Sequence, residues 1–255
     1  CIFMSHLFDA MQEKLPIRKD PERPAWVFPR DYGITHKRRN DLLSSKLVHL
    51  CELACGRTVN HGVVQDEMVS VPFEKDGDLI QFELTVDFMI NSAKALPAYA
   101  YPQMVEITKD IELPDISPLN CTITLTKENI YEIRDIFPID KRITEDQILG
   151  RTLLKAFAVA AGNAKQRFGL DVKILPEPIT LQCVHTDGRL FHFAVLQLNT
   201  LDLDGTEGIK NIFWSLPRIA LFDSCTYEKG VPTLTGYNDE VFKRLLAFYS
   251  NGLKL

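Results

Sequence analysis

Hydrophobic positions are densest between residues 178 and 201, PITLQCVHTDGRLFHFAVLQLNTL. Two runs rich in β-branched and aromatic residues flank Asp187-Gly188, a pair typical of hairpins because both central residues of a type I′ turn need φ > 0. With this pair at the turn, Cys183 is expected to face His192. The second run is apolar on both faces, so we predict that it forms a strand in the middle of a covered sheet.

A long helix is predicted between residues 144 and 168. Thr144 and Gln147 fit a capping box at its start, and Gly169 follows its last apolar residue. The middle of this helix is rich in alanine and glycine, which allow another backbone to approach closely. We therefore expect the helix to pack tightly on the sheet formed by the 178–201 hairpin.

Weaker patterns predict the remaining elements. Apolar spacing favours an amphipathic helix over 2–14, a helix through 41–56 capped by Asn40, and a C-terminal helix over 239–250. A second hairpin is predicted with strands at 68–73 and 79–88. Residues 97–118 are expected to be loop with short pieces of structure, and a short strand is predicted over 121–125.

These elements predict the α+β fold class. We expect residues 41–255 to form a single α+β domain, with a central, largely antiparallel sheet built on the 178–201 hairpin, the long packed helix (144–168) and the C-terminal helix. Residues 1–40 are expected to form an N-terminal helix and a Pro-rich basic surface segment. The composition, 45% hydrophobic and 25% charged, is ordinary for globular proteins. No apolar run is long enough for a membrane span, so no membrane partner is expected.

The charge distribution restricts any nucleic-acid interface to a small part of the chain. The formal net charge is −5, which argues against a surface that embraces RNA throughout. The first forty residues are nevertheless net positive, and a few cations suffice for phosphate contacts. Arg30, Lys37, Arg38 and Arg39 are therefore the rRNA-contact candidates. A solvated charge run before a helix is the alternative for these residues.

Cysteine and histidine residues raise two chemical alternatives. Zinc is disfavoured because Cys51 and Cys55 lack a second ligand pair at the usual spacing, although His49 and His61 are near in sequence. The chain has six cysteines but is long enough to fold without disulfide bonds. This favours a reducing compartment. A hydrolase or transferase using Cys183 with His185 and His192 is a remote alternative, because a thiol in a central strand lacks the access that a nucleophile needs.

Other catalytic and metal motifs are missing from the sequence. The acidic loop over residues 202–207 lacks the ligand ladder of a calcium-binding loop. The chain contains neither a phosphate-binding glycine loop nor a nucleophile elbow. We therefore predict no catalytic residue, no metal and no cofactor.

Three segments carry a resemblance to a known family: Thr186-Asp187-Gly188, Gln197-Leu198-Asn199-Thr200 and the KN-x-x-W segment Lys210–Trp214. They resemble the C-terminal signature of the mitochondrial ribosomal family that comprises large-subunit protein thirty-seven and its paralogue, programmed cell death protein nine. The resemblance extends from about residue 152 to the C-terminus. Residues 201–208 favour the first branch of the family, whereas Gly236-Tyr237-Asn238-Asp239 has features of the paralogue, which stays open as an alternative.

The resemblance implies a non-catalytic structural component of the mitochondrial large ribosomal subunit, located in the mitochondrial matrix. It implies other mitochondrial ribosomal proteins as partners, with the paralogue as a heterodimer partner, and limited contacts to mitochondrial rRNA. It also implies further residues before Cys1 and a longer connection near 141–143.

Overall fold

A computed structural model describes residues 1–7, 13–14, 22, 32–56, 61–75, 77–92, 94–113 and 144–251. The described helices are α1 (Ile2–His6), α2 (His36–Cys55), α3 (Pro102–Ile107), α4 (Glu145–Phe168) and α5 (Glu240–Asn251), with a 3₁₀ turn at Thr108–Asp110. The strands are β1 (Glu13–Lys14), β2 (Tyr32–Gly33), β3 (His61–Lys75), β4 (Asp78–Ser92), β5 (Ile174–Thr186), β6 (Leu190–Thr200), β7 (Ile212–Ser215), β8 (Ile219–Ala220), β9 (Ser224–Glu228) and β10 (Val231–Thr235). Helices and antiparallel sheets together confirm the predicted α+β class.

The chain forms two compact units. The first comprises residues 1–59, 185–192 and 217–254, and the second comprises residues 60–184, 193–216 and 255. The predicted boundary at residue 40 stays a prediction. None of the described helices combines the length and apolar composition that crossing a membrane requires.

Strand β6 lies in the middle of the largest sheet, as predicted. The sheet has the order β5-β6-β7, and β8 also pairs with β6. Ala194 lies opposite Ser215 and Gln197 opposite Ile212 in the β6–β7 ladder. Nine of the eleven β6 residues are buried, and the other two, Leu190 and Val195, are half-buried. The central position explains why this strand is apolar on both faces.

The turn between β5 and β6 differs from the predicted type I′ geometry. Three residues, 187–189, separate the strands, and Gly188 has φ +93°. Apart from glycines, only Asp66 and Lys229 among the described residues have positive φ, so the predicted conformation of Asp187 was wrong. The Asp187 carboxylate instead accepts hydrogen bonds from the backbone N–H groups of Arg189 (2.9 Å) and Leu190 (2.7 Å). An Asx turn of this kind fixes the loop without φ > 0 at the aspartate. The pairing of Cys183 with His192 stays a prediction.

Helix α4 begins and ends where its sequence signals lie. The Thr144 hydroxyl accepts from the Gln147 backbone N–H (3.3 Å), and the Gln147 side-chain oxygen accepts from the Thr144 backbone N–H (2.9 Å). This reciprocal pair is the predicted capping box. Gly169 follows the last helical residue, with φ +102°.

The small side chains of α4 lie in the main core of the second unit. Ala160, Ala161 and Ala164 are fully buried, in a cluster with Leu196 and Leu198 of β6. The same cluster contains Val71 and Phe73 of β3. A Cβ at Gly162 would lie 3.2 Å from Cγ2 of Val71, so the helix approaches β3 closely there. The helix therefore packs on the β3–β4 hairpin as well as on the predicted 178–201 sheet.

The β3–β4 hairpin is longer than predicted but lies in the expected place. Its strands pair in a single register from His61 opposite Ser92 to Lys75 opposite Asp78. One face carries apolar residues that pack into the core cluster, including Val71 and Phe73 of β3 and Phe82 of β4. The rings of Phe73 and Phe157 are 5.1 Å apart. Burial of this face decides which side of the hairpin points to α4.

The helices of the first unit start and stop at other residues than predicted. Thr35, not Asn40, caps α2, since its hydroxyl accepts from the Arg38 N–H (3.3 Å). Helix α1 ends at His6, and Glu13–Lys14 pairs as a strand with Tyr32–Gly33 instead of extending the helix to residue 14.

Just before helix α5, the Asn238 side chain accepts from the Glu240 N–H (3.1 Å). Helix α2 packs against α1 and α5. The predicted strand over 121–125, the connection near 141–143 and most of the Pro-rich segment lie outside the described residues.

The two glycines of α4 offer a matched test of the close contact with β3. Gly162→Leu is expected to destabilise the protein by about 1–3 kcal/mol, because the added side chain overpacks a filled contact. Gly150→Leu, in the same helix with no neighbouring atom within 4 Å of its Cβ position, is expected to stabilise it by up to about 1 kcal/mol. Urea unfolding midpoints measure both effects. Equal destabilisation by the two variants would show that α4 does not approach β3 at Gly162.

Candidate nucleic-acid interface

The basic run Lys37-Arg38-Arg39 lies in the first turn of helix α2. The three cations lie at the positive end of the helix dipole, and the turn contains no acidic residue to offset them. This placement slightly disfavours the helix and leaves positive potential at its N-terminus. The run is therefore part of a folded helix and not of the Pro-rich surface segment expected from the sequence. Arg30, the fourth candidate, lies outside the described residues.

Lys37 is the most exposed member of the run. Its side chain is 50% exposed and its ammonium lies 2.7 Å from the Asp41 carboxylate, one helical turn away. An exposed ion pair of this type contributes about 0–1 kcal/mol. A phosphate group could therefore replace Asp41 as the partner of Lys37 at little cost.

Arg39 is held inside the first unit. Its Nε atom is buried and has no hydrogen-bond partner among the described residues. Its charge acts on two neighbours, His6 and Cys225. Burial lowers the pKa of His6, the Arg39 guanidinium lowers it further, and the Ile2 carbonyl and the Asp187 carboxylate raise it. Lys37 is therefore exposed, whereas Arg38 and Arg39 are both half-buried.

Gly188 in the β5–β6 turn is buried, whereas Asp187 and Arg189 on either side of it are exposed. A Cβ at Gly188 would lie 2.4 Å from Oδ1 of Asn40 and 3.6 Å from Nε2 of His6. The His6 ring packs edge-on against Phe222, with centroids 5.0 Å apart. Asn40 is predicted to cap a helix, but its side chain lies against the turn instead. The Thr186-Asp187-Gly188 segment therefore forms the turn and packs Gly188 against Asn40.

The Gln197–Thr200 segment carries a buried hydrogen-bond network. The Gln197 side-chain oxygen accepts from the backbone N–H groups of Tyr99 (2.8 Å) and Ala100 (2.7 Å). Its amide nitrogen donates to Oδ1 of Asn199 (3.0 Å). The sequence analysis missed this anchoring of residues 99–100. A signal was present, since polar side chains inside an apolar strand require buried partners.

Asn211 joins the same strand from the Lys210–Trp214 segment. Its side-chain oxygen accepts from the backbone N–H groups of Asn199 (2.7 Å) and Thr200 (2.9 Å), and its nitrogen donates to the Thr200 carbonyl (2.9 Å). The Asn199 side chain in turn donates to the Lys210 carbonyl (2.8 Å). These bonds continue the sheet beyond the last backbone pair. The second and third signature segments thus bind each other.

The thiol of Cys183 is unsuited to nucleophilic chemistry. Burial raises its pKa to about 12, and the side chain packs against the main core cluster. The neighbouring imidazole rings of His185 and His192 lie with centroids 6.1 Å apart. A thiolate at neutral pH would need the opposite shift of the pKa.

The zinc and calcium alternatives find no support in the described part of the chain. Burial and the neighbouring Cys55 raise the pKa of Cys51 to about 11, which disfavours the thiolate that zinc requires. No group of three or more His, Cys, Asp or Glu side chains among the described residues could hold a metal ion. Two carboxylates of the acidic loop lie near a lysine instead. The Lys173 ammonium is 3.2 Å from the Asp204 carboxylate and 3.8 Å from the Asp202 carboxylate.

Comparison with known proteins gives a consistent family. The family described as "Mitochondrial 28S ribosomal protein S30 (PDCD9)" matches residues 157–252. "Large ribosomal subunit protein mL37" of Bos taurus is 33% identical over 221 residues, covering 74% of this chain and 51% of that protein. The mL37 proteins of Gallus gallus and Mus musculus are 30% and 29% identical, each over 83% of this chain and 57% and 58% of their own length.

The chain thus spans about half the length of the curated relatives that it matches. The predicted resemblance to this mitochondrial ribosomal family is confirmed. The similarity also extends well before residue 152, where the sequence resemblance was expected to begin.

Gly188 and Gly208 have similar positive φ angles, but only Gly188 has a close neighbour. Comparing substitutions at the two positions separates the cost of backbone strain from the cost of the contact with Asn40. Gly188→Ala is expected to cost at least about 1 kcal/mol more than Gly208→Ala, because both have φ above +80° but only the Cβ at 188 meets a neighbour. Adding Asn40→Ala should restore part of the loss at 188 and none at 208. Thermal or urea unfolding measures the free energies. Equal losses in the two single variants would contradict the packing of Gly188 against Asn40.

Proposed function

We propose that this chain, a homologue of the large ribosomal subunit proteins mL37, belongs to a non-catalytic structural component of the mitochondrial large ribosomal subunit. Its role is to support mitochondrial translation, and its location is the mitochondrial matrix. The observation that carries the proposal is the 33% identity to bovine mL37 over 74% of this chain.

The roles of the signature segments support a structural function. Gly188 packs against Asn40, Gln197 anchors residues 99–100, and Asn211 holds the end of β6. Each of these three residues makes a contact or hydrogen bond that stabilises the fold. The cysteine that could have served as a nucleophile is buried, with a raised pKa. A structural role therefore explains the signature residues without any reaction.

Within the family, the mL37 branch is favoured over the paralogue. The curated relatives compared above bear the mL37 name, and their similarity covers 74–83% of the chain. The match to the family described as PDCD9 covers the C-terminal region only. The paralogue is better placed as a partner, and we propose it as the heterodimer partner of this protein.

The surface charge favours protein neighbours with limited RNA contact. The chain has a net charge of −5, so most of its surface does not attract a polyanion. Lys37 and Arg38 are the described candidates for rRNA phosphate, with Arg30 preceding them in sequence. Arg39 is assigned a different task, since its guanidinium lies beside His6 inside the first unit. The remaining neighbours are proposed to be other mitochondrial ribosomal proteins.

Sedimentation of the tagged full-length protein tests the proposal. We expect the unmodified protein, called the parent below, to sediment in the peak of the mitochondrial large ribosomal subunit. Lys37→Gln/Arg38→Gln should leave that peak at a lower KCl concentration than the parent, because each lost phosphate contact removes part of the electrostatic binding.

Lys243→Gln/Arg244→Gln is the matched control. It removes the same charge from α5, where Lys243 forms an ion pair with Asp239 at 2.8 Å that resembles the Lys37–Asp41 pair. Absence of the parent from the large-subunit peak would refute the structural role. A parent in the peak, with the two double variants equally retained, would refute only the phosphate contact of α2.

A further inference from the structure

Helix α3 exposes a stripe of large apolar side chains. Tyr101, Met104 and Ile107 are spaced three residues apart and are 73%, 47% and 63% exposed. Val105 of the same helix is half-buried, and Thr108, directly after the helix, is buried. None of the six α3 side chains is buried in the part of the chain that the structure describes. Side chains at i and i+3 lie on one helix face, so the three apolar residues form one stripe.

The exposed apolar residues continue on both sides of the helix. Together they form what we call the α3 surface, which consists of Tyr99, Tyr101, Met104, Ile107, Ile111 and Leu113. Single exposed apolar residues are common, whereas a cluster within one short segment is typical of a binding surface. Tyrosine and methionine are also enriched where proteins meet.

The α3 surface is held rigidly by the buried network of β6. Gln197 accepts from the backbone N–H groups of Tyr99 and Ala100, and the Thr108 hydroxyl accepts from the Lys210 N–H at 2.9 Å. The Tyr99 ring packs against Trp214 with a centroid distance of 4.7 Å. A segment fixed in this way loses little freedom on binding, which favours association. The fixed position also means that its exposed side chains keep their orientation.

Charge around the α3 surface selects the class of partner. Glu106, Asp110 and Glu112 lie in the same segment, and the single cation, Lys109, forms an ion pair with Glu106. An apolar surface with an acidic rim repels phosphate and attracts lysine and arginine. Ribosomal RNA is therefore the less favoured neighbour.

We infer that the α3 surface is a docking site for a neighbouring protein of the large subunit, one that presents an apolar patch rimmed by lysine and arginine. This inference rests on the proposed function. It assigns a second contact region, distinct in chemistry from the basic turn of α2, to the chain. Gln197 and Thr108 act as positioning residues for this contact.

The test compares two double variants of the full-length protein in cells that lack the parent. Met104→Asp/Ile107→Asp is expected to reduce the amount in the large-subunit peak by about tenfold, because charges buried in an apolar contact are strongly unfavourable. Leu170→Asp/Ile174→Asp is the control, since those side chains are 75% and 65% exposed in the same unit. The control is expected to incorporate like the parent. Unfolding midpoints of both variants should match the parent, which excludes misfolding.

A photo-reactive residue in place of Ile107 identifies the neighbour in purified large subunits. The expected product joins Ile107 to a subunit protein, within a segment that contains apolar residues beside lysine or arginine. Asp110→Asn/Glu112→Gln should weaken retention of the protein, whereas an RNA neighbour would make retention stronger.

Several outcomes would overturn the inference. These are a cross-link to rRNA, to residues 114–143 of the same chain or to a second copy, no cross-link at all, and normal incorporation of the Met104→Asp/Ile107→Asp variant. Absence of the parent from the peak would overturn the inference together with the proposed function. Presence of the parent with any of the other results would overturn the docking site alone.

Discussion

Burial of strand β6 is the constraint on which the rest of the structure depends. Its residues pair with β5, β7 and β8, and Phe193, Leu196 and Leu198 are almost entirely withdrawn from solvent. Removing such side chains from water stabilises a fold by about 1.5–3 kcal/mol each. A strand buried on both faces needs covering elements, and α4 with its alanine-rich side supplies one of them. The close approach of Gly162 to Val71 brings the second hairpin to the same core.

Two polar residues in β6 fix the position of this buried strand. Gln197 and Asn199 are buried, and a shift of the strand would leave their amide groups without partners at a cost of about 1–3 kcal/mol each. Their hydrogen bonds to residues 99–100 and to Lys210–Asn211 hold segments that are distant in sequence. The same bonds fix the base of the α3 surface. Fold and proposed docking surface therefore depend on one network. Two of the three segments that carry the family resemblance, Gln197–Thr200 and Lys210–Trp214, build it.

Sequence reasoning succeeded where local signals determine structure and failed where distant residues decide. The capping box of Thr144 and Gln147 fixed the start of α4, and the all-apolar pattern of β6 indicated a central strand. The cap of α2 was misplaced by five residues because Thr35 and Asn40 are both good caps, and Asn40 is used against Gly188 instead. The predicted turn type was wrong because the Asp187 carboxylate accepts hydrogen bonds from the backbone N–H groups of Arg189 and Leu190. Among the candidate site residues, the place of the half-buried Arg39 near His6 could not be predicted from a basic run. The anchoring of residues 99–100 by Gln197 could not be predicted either, because this glutamine lies almost a hundred positions later.

Hydrogen exchange of the backbone amides tests the central role of β6 most directly. If β6 is the strand on which the core depends, the amides of residues 193–198 exchange only through global unfolding and are the slowest in the chain. Their exchange should also accelerate in proportion to the stability lost in a destabilised variant. Amides of α4 or of the β3–β4 hairpin that exchange more slowly than those of β6, or β6 amides that exchange by local opening, would contradict this account.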